Sequence, residues 1–99
     1  MSSQRLRIPE DVIFRDLAGE AVILNFDTGV YFGLDAVATR MWNLIGELGD
    51  RERILKVLLA EYDVEERRLR NDLDDLIARL LENGLLNIDA GSVAGGTSP

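Results

Sequence analysis

The feature that most constrains this chain is the run from Glu20 to Ile45, where two short apolar stretches joined by Asp27-Thr28-Gly29 lead almost directly into a helix. Val22, Leu24 and Phe26 alternate with Ala21, Ile23 and Asn25, the period-two pattern of a strand whose two faces are both partly apolar. Asp27-Thr28-Gly29 fits a tight hairpin loop with glycine near its end, and Val30-Tyr31-Phe32 follows as a third strand closed by Gly33. Val12-Ile13-Phe14-Arg15 precedes them as a first strand, with Asp16-Leu17-Ala18-Gly19 as the turn. No later segment offers the third strand a partner of similar quality. Its outer edge is therefore expected to keep N–H and C=O groups free, which makes it a candidate edge for an added peptide strand.

Three helices are expected after the strands. Asp35 can cap the first, in which Val37, Ala38, Met41, Trp42, Leu44, Ile45 and Leu48 recur at helical spacing. Gly49 ends it and Asp50 caps the second, whose stripe is Ile54, Val57, Leu58 and Tyr62, widened by Leu55 and Leu59. Asp63 followed by Glu66 resembles a capping box at the start of the third. The third helix places Leu69, Leu73, Leu76, Ile77 and Leu80 on one face, with Arg70 to Asp74 and Asp75 to Arg79 as candidate i,i+4 pairs. Asn83-Gly84-Leu85 reads as a Schellman stop, and Leu85 to Ile88 as a short extended piece. The order is α+β: a three-stranded antiparallel sheet, then three helices. Residues 1–9 read as a flexible lead-in, 10–88 as one domain and 89–99 as a flexible tail poor in apolar side chains.

The composition removes most chemistry. The chain has no Cys and no His, so it lacks the thiolate nucleophile, the commonest general base and the commonest metal ligand. No EF-hand loop or phosphate-cradling glycine run is present, and no cofactor is expected. Asp72, Asp74 and Asp75 are the densest carboxylates, but a solvated helix face balanced by nearby Arg accounts for them. The chain is read as non-catalytic. Its net charge of −7 disfavours nucleic acid, whose binding rests on neutralising phosphates. Neither a signal peptide nor an apolar segment long enough to span a bilayer is visible, so a cytoplasmic protein is expected.

Trp42 and Met41 lie on the apolar stripe of the first helix and read as core. Alternation points Tyr31 and Phe32 to opposite faces of the third strand, so that one can enter the core while the other lines the outer surface, the alternative being burial of both under the helices. Arg67, Arg68 and Arg70 open the third helix, against the positive end of its dipole, with Glu65 and Glu66 as offsets. They read as a solvated face or as a contact for acidic residues of a partner.

Taken in order, Val22-Ile-Leu-Asn-Phe-Asp-Thr-Gly-Val-Tyr-Phe-Gly-Leu-Asp35, Ala38-Thr-Arg-Met-Trp42, Leu58-Leu-Ala-Glu-Tyr-Asp-Val64 and Leu80-Leu-Glu-Asn-Gly-Leu-Leu86 resemble the PqqD family. These are small peptide chaperones, or recognition elements, of pathways that modify ribosomally made peptides. The resemblance implies a winged helix-turn-helix fold with the sheet before the helices. It implies a leader peptide bound as an added strand on the third strand, beside the third helix, and delivered to a modifying enzyme. A radical-SAM enzyme, a lasso-peptide leader protease and cyclase, or another modifying enzyme are all open. On this reading Val30, Tyr31, Phe32 and Gly33 supply the edge. By helix geometry Leu69, Leu73 and Ile77 floor the cleft, with Arg67, Arg70 and Asp74 at its rim. The alternative is a winged-helix DNA-binding regulator, for which the second helix offers only Arg51, Arg53 and Lys56, diluted by Glu52 and Glu61. A homodimer through the free edge is compatible with the first reading.

Overall fold

The computed structural model describes residues 5–17 and 20–89. Two sheets and three helices follow in the order β1 (Arg5–Arg7), β2 (Val12–Leu17), β3 (Glu20–Asn25), β4 (Tyr31–Leu34), α1 (Ala36–Leu48), α2 (Arg51–Glu61), α3 (Glu66–Glu82) and β5 (Asn87–Asp89). The expected three-stranded antiparallel sheet is β2-β3-β4, with β3 central. The whole is α+β with a winged-helix-like arrangement. The lead-in before residue 5, the Ala18-Gly19 turn and the tail from Ala90 lie outside the described residues.

The three expected helices form with the caps that the sequence supplies. Asp35 accepts from the backbone N–H of Ala38 at 2.8 Å, and Gly49 ends α1 in the left-handed region at φ 68°. Asp50 accepts from Glu52 N–H at 3.3 Å at the start of α2. At the end of α3, Leu85 N–H reaches the Leu80 carbonyl at 2.9 Å and Gly84 N–H the Leu81 carbonyl at 3.3 Å, the paired bonds of a Schellman motif. The capping box at Asp63 does not form: α3 starts from Glu65, which makes no side-chain cap bond.

The core lies between the inner face of β3-β4 and the three helices. Ala21, Ile23 and Leu34 point inward to Trp42, Leu44 and Ile45 of α1, Ile54 and Leu58 of α2, and Leu73, Ile77 and Leu80 of α3. Of the expected α1 stripe, Val37 is exposed instead.

One difference from the sequence reading concerns the start of the fold. Arg5–Arg7 is not a loose lead-in but a strand, antiparallel to Asn87–Asp89 with Leu6 opposite Ile88. Leu6 is buried and its N–H donates to the carbonyl of Gly49 at 2.8 Å, which ties this small sheet to the α1–α2 turn. A strand with a single apolar residue and a partner this far along the chain carries no periodic signal. The other end of the fold agrees with the reading and matters more for function: the extended piece after α3 pairs with β1, so the outer edge of β4 is left uncovered, as expected.

Candidate functional site

The edge strand β4 can be resolved residue by residue. Asn25 N–H donates to the Val30 carbonyl at 2.8 Å, and the register continues Leu24 to Tyr31, Ile23 to Phe32, Val22 to Gly33 and Ala21 to Leu34. In an antiparallel ladder hydrogen-bonded and non-hydrogen-bonded pairs alternate. Val30, Phe32 and Leu34 therefore turn their backbone groups toward β3, while Tyr31 and Gly33 turn theirs outward. Among the described residues no strand meets them. Val30 is not part of the free edge as expected: its carbonyl is taken by Asn25, and its N–H donates to the Thr28 hydroxyl at 3.3 Å.

Side chains follow the same alternation. Phe32 points inward and is half-buried, whereas Tyr31 is 72% exposed on the outer face. A cleft of about 430 Å³ opens between the β4 edge and α3. Phe32 and Gly33 form its strand side, Val37, Ala38 and Met41 its α1 side, and Asp72, Asp75, Leu76 and Arg79 its α3 side. A Cβ built on Gly33 would meet nothing within 4 Å, so the strand is not obstructed there.

The α3 residues named from the sequence are placed differently. Leu69, Leu73 and Ile77 are in the core, at 3%, 0% and 1% exposure, and do not floor the cleft. Arg70 and Asp74 face α2 and not β4. Arg70 bonds Glu52 at 2.9 Å and Glu66 at 3.0 Å, and Asp74 meets Arg51 at 3.4 Å, which replaces the expected Arg70–Asp74 pair. Arg67 is exposed and does not line the cleft. The physical reason is helical phase. Residues 72, 75, 76 and 79 share a stripe on one side of the Leu69–Leu73–Ile77–Leu80 core stripe, and 66, 70 and 74 lie on the other side. The sequence reading took the core stripe and the wrong flank. The expected Asp75–Arg79 pair does form, at 3.3 Å.

Asn25, named in the sequence only as one position of an alternating strand, supports the site without lining it. It is the only buried polar side chain among the described residues, at 7% exposure. Its Oδ1 accepts from Asp27 N–H at 2.8 Å and Thr28 N–H at 3.1 Å, and its Nδ2 donates to the Gly84 carbonyl at 2.7 Å. The β3–β4 turn is thereby fastened to the C-terminal cap of α3, the two elements that set the walls of the cleft. An Asn two residues before the Asp27-Thr28-Gly29 turn, the position from which an Asx side chain reaches the turn N–H groups, was the available signal.

The outer face of the sheet is a second surface. Ile13, Leu17, Phe26 and Tyr31 are exposed there beside the half-buried Val22 and Leu24, an apolar patch with Arg15 among it. Among the described residues no group of acidic side chains is placed to hold a metal ion, and no helix is long and apolar enough to cross a membrane.

An open strand edge beside a helix, on a winged-helix-like scaffold, is the architecture of a small recognition module. The family described as coenzyme PQQ synthesis protein D (PqqD) matches residues 20–86, and the chain belongs to it. Among solved structures, "TbiB1 in complex with the TbiA(beta) leader peptide" is 35% identical. It covers 89% of this chain and 99% of its own, with a TM-score of 0.76. "Lasso peptide synthetase B1 complexed with the leader peptide" shares the fold at 22% identity and a TM-score of 0.76, covering 84% of this chain and 98% of its own. No curated protein sequence matches the chain.

Proposed function

We propose that this chain binds the leader of a ribosomally made precursor peptide as an added strand on β4, in the cleft against α3, and presents it to a modifying enzyme. The observation that carries this reading is the outward-facing backbone of Tyr31 and Gly33 beside an open cleft. Main-chain bonds to that edge supply affinity, and the cleft selects alternate side chains of the peptide. The TbiB1 structure, similar over nearly all of both chains, is itself a complex with a leader peptide, which supports the same role here. The chain supplies binding and the enzyme supplies catalysis. With neither Cys nor His, the chain lacks the thiolate nucleophile and the imidazole base on which most acyl-transfer sites are built.

Delivery needs a surface that stays accessible while the cleft is occupied. The apolar outer face around Leu17, Phe26 and Tyr31 meets that need, since an added strand extends the sheet sideways without covering it. The DNA-binding alternative fits less well. Arg40, Arg51, Arg70 and Arg79 are all held by carboxylates, and the whole chain repels phosphate.

The test is the affinity of a synthetic leader, taken from a short precursor gene found beside this one, measured by fluorescence anisotropy. A dissociation constant in the micromolar range or tighter, roughly −8 kcal/mol or better, is expected. Absence of binding at ten times that concentration, in a folded sample, would rule the reading out.

A further inference from the structure

The α3 wall of the cleft carries charge as well as apolar surface, and the charges are not equivalent. Asp75 is paired with Arg79 at 3.3 Å. Asp35 spends one carboxylate oxygen on the Ala38 N–H, and its charge faces the positive end of α1. Asp72 makes neither an ion pair nor a hydrogen bond among the described residues, yet it lines the same cleft. Three carboxylates against one guanidinium leave the rim acidic, with Asp72 as its uncompensated member. The floor beside it is apolar: Phe32, Met41 and Leu76.

Resting on the strand-addition reading, we propose that Asp72, assisted by Asp75, selects a leader peptide with a Lys or Arg placed two residues from the apolar side chain that seats on Phe32, Met41 and Leu76. The spacing follows from the two elements. Asp72 and Leu76 are four residues apart on α3, about 6 Å along the helix axis. In an extended peptide, residues i and i+2 lie on one face about 6.6 Å apart. With the peptide strand running alongside α3, one inward side chain over Leu76 places the next inward one beside Asp72. A cation there meets a carboxylate with no other partner, and an anion meets a carboxylate wall. The peptide side chains between them point to the outer face and are not read by this wall.

The experiment uses random twelve-residue peptides displayed on phage and selected on the intact chain. Selected peptides are then made synthetically with the basic residue as Lys, Gln or Glu. The expected outcome is enrichment of Lys or Arg two positions from an aliphatic or aromatic residue. Lys→Gln should weaken binding roughly two- to fivefold, the size of an exposed ion pair, and Lys→Glu more. In the Asp72→Asn/Asp75→Asn variant the Lys and Gln peptides should bind alike, while Asp63→Asn, outside the cleft, should leave the preference intact. Peptides that shift the Tyr31 and Gly33 amides but show no basic preference, or the same preference in the double variant, would overturn the charge-selection proposal and leave strand addition standing. Peptides that bind without moving those amides, or a library with no binder, would overturn strand addition itself.

Discussion

Asn25 Nδ2 donates to the carbonyl oxygen of Gly84 at 2.7 Å, across 59 residues of chain, and so joins the β3–β4 turn to the end of α3. The same side chain accepts two turn N–H groups through Oδ1, so one buried amide satisfies three backbone groups. Asn25→Ala removes all three bonds and leaves the Gly84 carbonyl without that donor. The expected loss is about 2 kcal/mol of unfolding free energy, from desolvated groups left without partners. For a domain of this size that lowers Tm by roughly 10 °C. Denaturant and thermal unfolding check it, and a change below about 0.5 kcal/mol, the range of ordinary surface substitutions, would show that the amide is dispensable.

Backbone direction along β4 predicts opposite outcomes for two neighbouring prolines. Tyr31→Pro removes an outward N–H, so the free protein should fold with little loss while leader affinity falls about tenfold. Phe32→Pro removes an inward ladder N–H and an inward aromatic ring, and should destabilise the fold itself. Unfolding curves and anisotropy titrations of both variants, read together, separate edge function from sheet integrity.

Acid stability should depend on two exposed ion pairs. Arg40 donates to both carboxylate oxygens of Glu61, at 2.9 and 2.6 Å, and these bonds hold the Glu61 carboxyl below its ordinary pKa. The Arg70 bond to Glu52 does the same at the α2–α3 contact. A carboxylate whose pKa is lowered by folding adds stability above its unfolded value near 4.5, and loses it as pH falls through the lowered value. Denaturant midpoints measured downward from pH 6 should therefore fall below about pH 5 in the wild type. They should fall less steeply in Glu61→Gln and Glu52→Gln. Parallel curves for all three proteins would remove these pairs from the account.

Occupation of the outer sheet face is separable from leader binding. Leu17→Ser/Phe26→Ser exchanges two exposed apolar side chains, at 57% and 72% exposure, and should leave both stability and leader affinity near wild type. Processing of the precursor by the modifying enzyme should slow markedly at limiting concentrations of this chain. An unchanged processing rate would place the enzyme contact elsewhere.

Much of this molecule was legible from residue order. The Glu20–Phe32 hairpin, the opposed faces of Tyr31 and Phe32, the Asp35 and Asp50 caps and the Gly84 stop follow from local chemistry and are present, although β4 runs on through Gly33, expected to close it, to Leu34. What sequence could not fix was rotation and distance. The core stripe of α3 was readable, but whether its Asp72–Asp75–Arg79 flank or its Arg70–Asp74 flank faces β4 depends on how the helix is set against the sheet. The expected Arg70–Asp74 pair failed for the same reason: once the helices pack, Arg70 is held by Glu52 of α2 and by Glu66, and Asp74 by Arg51 of α2. Arg5–Arg7 was missed because its pairing with Asn87–Asp89 is wholly non-local. Val30 shows how finely an edge must be read: it is one residue from Tyr31, yet its backbone is spent inside the turn.

The most direct measurement is an amide-resolved NMR titration of the ¹⁵N-labelled chain with the leader peptide used in the anisotropy test. Shifts or broadening at Tyr31 and Gly33, joined by Asp72, Leu76 and Arg79 on the cleft face of α3, are the predicted result. Shifts confined to Arg67, Arg70 and Asp74, or a β4 strand that does not respond while the leader binds, would contradict strand addition at this edge.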